Sequence, residues 1–203
     1  DTRYRTRLTA GWTAADWQWR AGLSTVFQRP EWLAPFYDAV ARHEPDIMPM
    51  TVEVTDDSGV PAYRLALLQR AVGNLRLVEF ADLNMTDFNA PLLGPAAPRS
   101  TVEAAQAWAA VKRALPSCDA VRLTKMPALI GTRPNPLALL PGLLPAAVNG
   151  NVIAMGEDWN GFHFGLERTV RKELERSWRV FTRADEANLF TVTDPAEALA
   201  VLA

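Results

Sequence analysis

Two kinds of hydrophobic spacing open the chain and predict one strand followed by helices. Residues 2–9 alternate charged and uncharged positions, with arginine at every second one, which is typical of a strand with one solvent-exposed face. Residues 16–20 are a candidate for a short helix. Pro30 suits the first position of a helix, where a missing N–H costs nothing. Apolar residues then recur at helical spacing, at Trp32, Leu33, Phe36, Tyr37 and Val40.

The next part of the chain has the pattern of an antiparallel meander. Three strand candidates follow one another over residues 48–55, 62–72 and 75–80. Residues 56–59 (DDSG) supply a turn between the first two, and Gly73-Asn74 supplies a turn between the last two. We therefore predict three sequential strands joined by short turns.

Beyond the meander the pattern predicts a long loop and then further helices and strands. The loop covers residues 81–99, a length that is usually functional or mobile. Thr101 is expected to cap a helix over residues 101–115, whose stripe would comprise Val102, Ala105, Trp108, Ala109 and Lys112. The remaining predictions are a strand at 120–125, irregular chain at 126–150, a short strand at 152–155, a helix at 161–181, a strand at 189–193 and a final helix from residue 194.

This order of elements predicts an α/β (α+β) fold with a mixed, mainly antiparallel sheet flanked by helices. We expect one lobe over residues 1–158 and a basic connecting helix over 159–184. A new strand–helix unit begins in residues 185–203, and its helical pattern runs to the last residue. We therefore expect the native polypeptide to continue.

Composition and charge narrow the class of protein. The chain is 49% hydrophobic and 22% charged, as ordinary globular proteins are. Its formal net charge of −2 supplies no field to attract nucleic acid or a membrane. The single cysteine, Cys118, excludes an internal disulfide, and no Cys/His set has zinc spacing. With no run of ~18 apolar residues and no visible leader, we expect a cytoplasmic protein without a membrane span or metal site.

Six segments, taken in order, resemble a known family. They are FQRPEWL (27–33), DFNAPLL (87–93), VRLTKMP (121–127), NPL (135–137), DWNGF (158–162) and LERTVRKELERSWRVF (166–181). Together they resemble the CelD-like acetyltransferases associated with bacterial cellulose and exopolysaccharide biosynthesis, members of the GNAT superfamily and relatives of the FemAB aminoacyl transferases. The family's DYN is Asp87-Phe88-Asn89 here, and Trp178 stands where a basic residue is expected.

The resemblance implies two tandem GNAT-like lobes, of which this chain would be the first and residues 185–203 the start of the second. It also implies an acyltransferase that carries an acetyl group from acetyl-CoA to a saccharide or envelope precursor. The acyl-CoA would bind mainly to the second lobe. The nearest match to a CoA diphosphate loop, RAVGNL at 70–75, lies between two strands rather than before a helix, which favours a hairpin turn.

The segment DFNAPLL contains the residues that we predict to be catalytic. Acyl transfer needs a base for the proton of the nucleophile, and a carboxylate whose pKa is raised by burial can supply it. Asp87 is the candidate base, Asn89 would orient the acceptor, and Phe88 would contact it. The alternative is that Asp87 caps a turn and Asn89 bonds loop backbone. Lys125 and Asn135 are further candidates for acceptor binding, although a solvated lysine at the end of a strand is the more ordinary interpretation of Lys125.

The basic helix offers a second kind of site. Arg171, Lys172 and Arg179 could bind a nucleotide-sugar diphosphate, a polyanionic glycan or a tRNA. The alternative is a solvated face with ion pairs along the helix. Two other functions therefore stay open beside acetyl transfer. One is a FemAB-type aminoacyl transferase that uses charged tRNA, and the other is a binding lobe of a polysaccharide-synthesis assembly without catalysis.

Overall fold

The computed structural model describes residues 3–12, 23–146 and 156–183. Its contacts divide the chain into two units, Asp1–Ala147 and Val148–Ala203, which are described separately below. No helix in the described ranges is long and apolar enough to cross a bilayer. Several predictions lie outside the described residues: the helix at 16–20, the strands at 152–155 and 189–193, and the final helix with the lobe that it would open.

The first unit is built on one open, mainly antiparallel sheet. In chain order its strands are β1 (Tyr4–Ala10), β2 (Met48–Asp56), β3 (Pro61–Val72), β4 (Leu75–Phe80), β5 (Leu92–Leu93) and β6 (Ala120–Arg122). The spatial order is β1-β2-β3-β4-β6, and β5 pairs with β3. All pairs are antiparallel except β4–β6, which is parallel. The mixed, mainly antiparallel sheet is as predicted.

Helices and short elements complete this unit. The helices are α1 (Pro30–His43) and α2 (Thr101–Ala114), and a small hairpin pairs β7 (Leu129–Ile130) with β8 (Arg133–Pro134). Single 3₁₀ turns cover Val26–Gln28 and Pro136–Leu139. Ser100 caps α2, since its side chain accepts the Glu103 N–H at 3.3 Å. The prediction that Thr101 is the cap was therefore wrong by one residue.

The meander forms because alternating residues bury one face and a two-residue turn sets the register. Val52 pairs with Leu65, and Val54 pairs with Tyr63, all of them buried. Val72 pairs with Leu75 across the turn that contains Gly73. Gly73 has a φ of +60°, which glycine adopts without steric cost. The predicted hairpin at RAVGNL is confirmed.

The two faces of the sheet carry two hydrophobic clusters. Helix α2 packs through Ala107 and Val111 against the face that contains Leu65, Leu67 and Val78. On the opposite face lies a smaller cluster, comprising Trp12, Leu33, Leu68 and Ala81, to which α1 contributes. Full burial of each large aliphatic side chain contributes about 1.5–3 kcal/mol. The helices therefore flank the sheet on both sides.

The buried face of α2 differs from the predicted stripe. Its buried residues are Ala104, Ala107, Ala110 and Val111, whereas Val102 is 66% exposed. Alanine is small enough to bring the helix axis close to the sheet, and this decides the orientation more than the size of an apolar side chain does. Trp108 packs only at the margin of the core.

Two predicted boundaries of strands and loops are also corrected. The strand predicted at 120–125 ends at Arg122, and the backbone carbonyl of Lys125 instead accepts the Asn89 N–H at 2.9 Å. The loop predicted at 81–99 contains β5, and the region predicted as irregular at 126–150 contains the β7–β8 hairpin. The chain beyond β6 therefore turns toward the loop rather than extending the sheet.

The second unit contains two helices in its described part, α3 (Trp159–Gly165) and α4 (Arg168–Phe181). The single helix predicted over 161–181 is interrupted because Leu166 adopts an extended conformation. Helix α3 also begins earlier than predicted, since the Asp158 carboxylate accepts the Gly161 N–H at 2.7 Å. Arg171 then donates to the Phe164 carbonyl at 3.2 Å, which bonds the start of α4 to the end of α3.

Candidate functional site

The parallel pair β4–β6 brings two loops together at one edge of the sheet. Leu77 pairs with Ala120 and Glu79 pairs with Arg122. Because both strands run in the same direction, the residues that follow them emerge side by side. In α/β sheets this is where ligands most often bind.

A partly buried hydrogen-bond network joins these two loops around Asp82. The Asp82 Oδ2 accepts from Asn89 Nδ2 at 2.8 Å and from Lys125 Nζ at 3.3 Å. Its Oδ1 accepts the Asn84 N–H at 3.0 Å. Lys125 also donates to the Thr86 carbonyl at 2.6 Å, and the Thr86 hydroxyl donates to Asn89 Oδ1 at 2.9 Å. The network fixes both loops relative to each other.

These contacts keep Asp82 ionised. Burial alone would raise the pKa of its carboxyl group, but the hydrogen bonds from Asn84 and Asn89 and the charge of Lys125 outweigh burial and lower the pKa below its usual value. A carboxylate with a lowered pKa is a weak proton acceptor. Asp82 is therefore suited to hold Lys125 and the loop in place rather than to act as a base.

Replacing Asp82 by asparagine is expected to destabilise the chain by about 2 kcal/mol at pH 7, because Lys125 loses its charged partner. The lowered folded-state pKa means that the ionised carboxylate stabilises the fold above its unfolded pKa of about 3.9. That stabilisation is lost as the pH falls through the folded-state pKa. Urea unfolding of both proteins at pH 7 and at pH 3 would measure the difference. An equal difference at both values, or a similar loss in the exposed Asp57→Asn control, would contradict the prediction.

Backbone strain is concentrated at the same place. Three residues other than glycine have left-handed φ values in the described ranges: Leu83 at 40°, Asn84 at 68° and Lys125 at 59°. Such conformations cost of order 1–3 kcal/mol each and persist only where surrounding contacts enforce them. All three lie in the two loops that Asp82 joins. Strain collected in one cleft is typical of functional sites.

An open cleft of about 340 Å³ lies beside this network. It is on the sheet face that also contacts α1, since Leu68 belongs to both the cleft and that cluster. Most of the residues that line it are polar or charged: Arg70, Glu79, Asp82, Asn84, Arg122 and Thr124. Leu68, Phe80 and Leu83 complete the lining. A pocket of this size and mixed lining suits a small polar ligand.

A row of charges crosses three strands at the wall of the cleft. The Glu79 carboxylate accepts from Arg70 Nε at 2.6 Å through one oxygen and from Arg122 Nε at 2.7 Å through the other. Arg122 Nη2 bonds the same oxygen as its Nε. The Glu79 side chain is only 12% exposed, whereas that of Arg122 is 54% exposed. The carboxylate therefore lies beneath guanidinium groups that reach solvent.

The structure separates the predicted catalytic residues. Asp87 is exposed, so the burial under which we expected it to act as a base is absent. Asn89 is buried and its side chain bonds Asp82, Thr86 and the Thr124 carbonyl. Phe88 is exposed, and its carbonyl accepts from Gln28. Of the bonds of the Asn89 side chain only the one to Thr124, at 3.4 Å, is to loop backbone, and the catalytic roles stay predictions.

The two predicted acceptor-binding residues of the first unit have different surroundings. Lys125 lies in the Asp82 network, as described above, and is partly exposed. Asn135 is fully buried, where its amide donates to the Pro127 carbonyl at 2.9 Å and accepts the Leu137 N–H at 3.1 Å. These bonds cap the Pro136–Leu139 turn. Lys125 is therefore close to the cleft, while the side chain of Asn135 forms hydrogen bonds to backbone groups.

The basic residues predicted for ligand binding lie in the second unit, on α4. Arg171 is partly buried and its guanidinium lies 5.9 Å from the centre of the Phe164 ring. Arg179 donates to the Glu175 carbonyl at 3.3 Å, one turn earlier in the same helix, and Lys172 is exposed. Arg171 thus has a structural contact, and Lys172 and Arg179 form a solvated face.

Sequence reasoning missed the charged residues of the cleft. Arg70, Glu79 and Arg122 were placed only within predicted strands, and Asp82 only within the long loop. A signal was available, because a strand, a helix and a second strand in succession predict a parallel pair. Polar residues directly after both strands, such as Asp82 and Thr124, would then be expected at one edge.

The segment RAVGNL at 70–75 does not have the geometry of a CoA diphosphate loop. The segment RAVGNL forms the turn between antiparallel β3 and β4, so its backbone N–H groups do not lie at the N-terminus of a helix. Within the described ranges, no group of three His, Cys, Asp or Glu side chains lies close enough to hold a metal ion. Comparison with protein-family models, curated proteins and solved structures gave no match.

Proposed function

We propose that this chain supplies the acceptor-binding lobe of an acyltransferase. The acceptor would be a saccharide or envelope precursor, and the transferred group an acetyl group from acetyl-CoA, as the sequence resemblance implies. The observation that supports an acceptor site is the coincidence of three strained residues, the Asp82 network and a cleft of about 340 Å³ at the ends of β4 and β6.

The chemistry of the cleft suits a ligand that carries several hydroxyl groups. Thr124 is exposed, and its hydroxyl makes no hydrogen bond to the described part of the chain. Asn84 has an exposed side-chain amide, and its backbone N–H is bonded to the Asp82 carboxylate. Leu83 is partly exposed and provides apolar atoms that can contact the C–H groups of a sugar ring. A backbone fixed beforehand reduces the entropy lost on binding.

The donor enters this proposal only as a co-substrate. Because RAVGNL forms a strand turn, that segment supplies no diphosphate cradle, and no step of the transfer is assigned to the cleft. What the cleft does is bind and orient the acceptor. The same geometry favours a second candidate function, a lobe that binds saccharide without transferring anything to it.

Binding of saccharides to the full chain tests the proposal. We expect saccharides to perturb the backbone NMR signals of Asn84 and Thr124. Replacing Thr124 by valine should weaken binding about fivefold to tenfold, since one hydrogen bond contributes about 1 kcal/mol or slightly more. Thr9→Val, in the edge strand β1, is the matched control and should leave binding unchanged.

Transfer of labelled acetyl groups from acetyl-CoA to the bound saccharide separates the two candidates. Transfer by the full-length protein that falls in the Thr124→Val variant supports the acyltransferase. Binding without transfer supports the binding lobe. If no saccharide perturbs the cleft, or if Thr9→Val weakens binding as much as Thr124→Val does, the acceptor-site proposal is wrong.

A further inference from the structure

Two guanidinium groups in the cleft share one carboxylate, and this leaves hydrogen-bond donors without partners. A guanidinium carries five N–H donors. In the described part of the chain Arg70 uses only its Nε–H, on Glu79, and Arg122 uses its Nε and one Nη on the same carboxylate. Both residues line the cleft, and their side chains are 34% and 54% exposed. An additional acceptor with several oxygens would satisfy their remaining N–H groups.

The local charge also favours an anion. The three cations Arg70, Arg122 and Lys125 stand against the two carboxylates Glu79 and Asp82, which leaves one net positive charge. Lys125 is bonded to Asp82, so these two neutralise each other. The excess charge therefore falls on the two arginines at the mouth of the cleft. Arginine pairs with phosphate and carboxylate groups through parallel N–H···O bonds.

The existing ion pairs do not prevent such binding. The Arg122 end of its ion pair reaches solvent, so the geometry of that guanidinium can change at little cost. The Arg122 side chain, more than half exposed, is free to turn one edge of its guanidinium toward a ligand. Glu79 remains beneath and holds the two arginines close to each other. Glu79 thus orients the two arginines, and the arginines contact the ligand.

We propose that the cleft binds an acceptor that carries an anionic group, a phosphate or a carboxylate, held between Arg70 and Arg122. The saccharide part would extend toward Asn84 and Thr124. This inference rests on the proposed function, in which the cleft is the acceptor site, and it names the chemical class of that acceptor as an acidic saccharide.

Titration calorimetry of the full chain with glucose 1-phosphate, glucuronate and glucose tests the inference. We expect at least one of the two acidic sugars to bind about tenfold or more tightly than glucose, because charge-assisted hydrogen bonds contribute about 1.5–3 kcal/mol. Raising the salt concentration should weaken that binding and leave glucose unaffected. Preference for glucose 1-phosphate identifies a phosphate group, and preference for glucuronate identifies a carboxylate.

Variants locate the anion. Arg122→Gln should reduce the affinity for the preferred acidic sugar about tenfold more than the affinity for glucose, and Arg70→Gln provides an independent second test. Glu79→Gln keeps an acceptor oxygen that can hold the arginines but removes a competing negative charge, so it should increase the affinity for the acidic sugar. The matched control is Arg76→Gln, an exposed arginine of β4 that pairs with Asp119 outside the cleft.

The outcomes distinguish this inference from the proposed function. If glucose binds as tightly as both acidic sugars, or if both arginine variants lose affinity for all three sugars equally, the anionic acceptor is wrong while the acceptor site stands. If Glu79→Gln lowers stability without raising affinity for the acidic sugar, the charges form only a structural ladder and the inference is overturned. If no sugar binds at all, the proposed function fails together with it.

Discussion

Replacing Gly94 by alanine is expected to lower the free energy of unfolding by about 3 kcal/mol or more, one of the largest losses available to a single methyl group in this chain. A Cβ at this position would lie 2.3 Å from the Pro61 carbonyl oxygen and 2.7 Å from its carbon. Both atoms belong to the backbone of β3, so no side chain can move aside. Either β3 or the segment after β5 must shift.

That shift would break hydrogen bonds on both sides of the contact. Gly94 donates its N–H to the Ala62 carbonyl at 2.8 Å, and Ala96 donates to the Pro61 carbonyl at 2.9 Å. Thermal unfolding of the full chain should show a melting temperature lower by roughly 10 °C. Gly165→Ala is the control, since a Cβ there meets no atom within 4 Å. Equal melting temperatures for the two variants would contradict the close approach seen at Gly94.

Replacing Glu53 by alanine should destabilise the sheet by about 3–5 kcal/mol, because it removes a carboxylate that pairs with a buried guanidinium. Glu53 lies in β2 between two arginines of the neighbouring strands, Arg7 in β1 and Arg64 in β3. The Arg64 side chain is only 3% exposed, whereas that of Arg7 is 61% exposed. The carboxylate therefore serves chiefly to neutralise Arg64 inside the sheet.

Because Glu53 pairs with two arginines, the exposed one provides a control. Arg7→Ala removes the exposed partner of the same carboxylate and should change the free energy of unfolding by no more than about 1 kcal/mol. Urea unfolding of both variants, with the wild type alongside, measures the contrast. A loss of 3 kcal/mol in both, or in neither, would show that burial of Arg64 is not what makes Glu53 important.

The meander could be predicted because short stretches of the sequence determine its strands and turns. Alternation along β2 and β3 places Val52, Val54, Leu65 and Leu67 on one face, and this pattern alone assigns both strands. The turn at Gly73 follows from the φ that only glycine adopts freely. Neighbours in sequence are neighbours in the sheet here, so no long-range information was needed.

The helix errors have a different physical origin. On α2 the size of Val102 and Trp108 indicated the wrong face, because close packing on a sheet selects small residues such as Ala104 and Ala107. The break between α3 and α4 was missed because no proline marks it. Gly165 and the extended conformation of Leu166 end α3, but the sequence on both sides continues to favour a helix.

The candidate site was predicted only in part, since its members come from distant positions. The loop containing Asp87 and Asn89 was singled out, and Lys125 lies beside it. The central carboxylate, Asp82, was overlooked because its partner Lys125 becomes a neighbour only through the parallel pairing of β4 and β6. Local patterns indicate which residues face solvent, but they do not indicate which solvent-facing residues meet.

The parallel pairing has a further consequence for how the protein opens. Strand β6 is paired to β4 at only three positions, Leu77–Ala120, Val78–Val121 and Glu79–Arg122, whereas β2 and β3 pair along most of their length. The smallest cooperative unit that can unfold on its own at this edge is therefore β6 with its following loop. Such an opening separates Arg122 from Arg70 and Lys125 from Asp82 while the meander stays folded. The ability of the cleft to bind a ligand and the free energy of global unfolding are thus separate quantities. An acceptor that contacts both β3 and β6 would stabilise the weak pairing of β6 with β4.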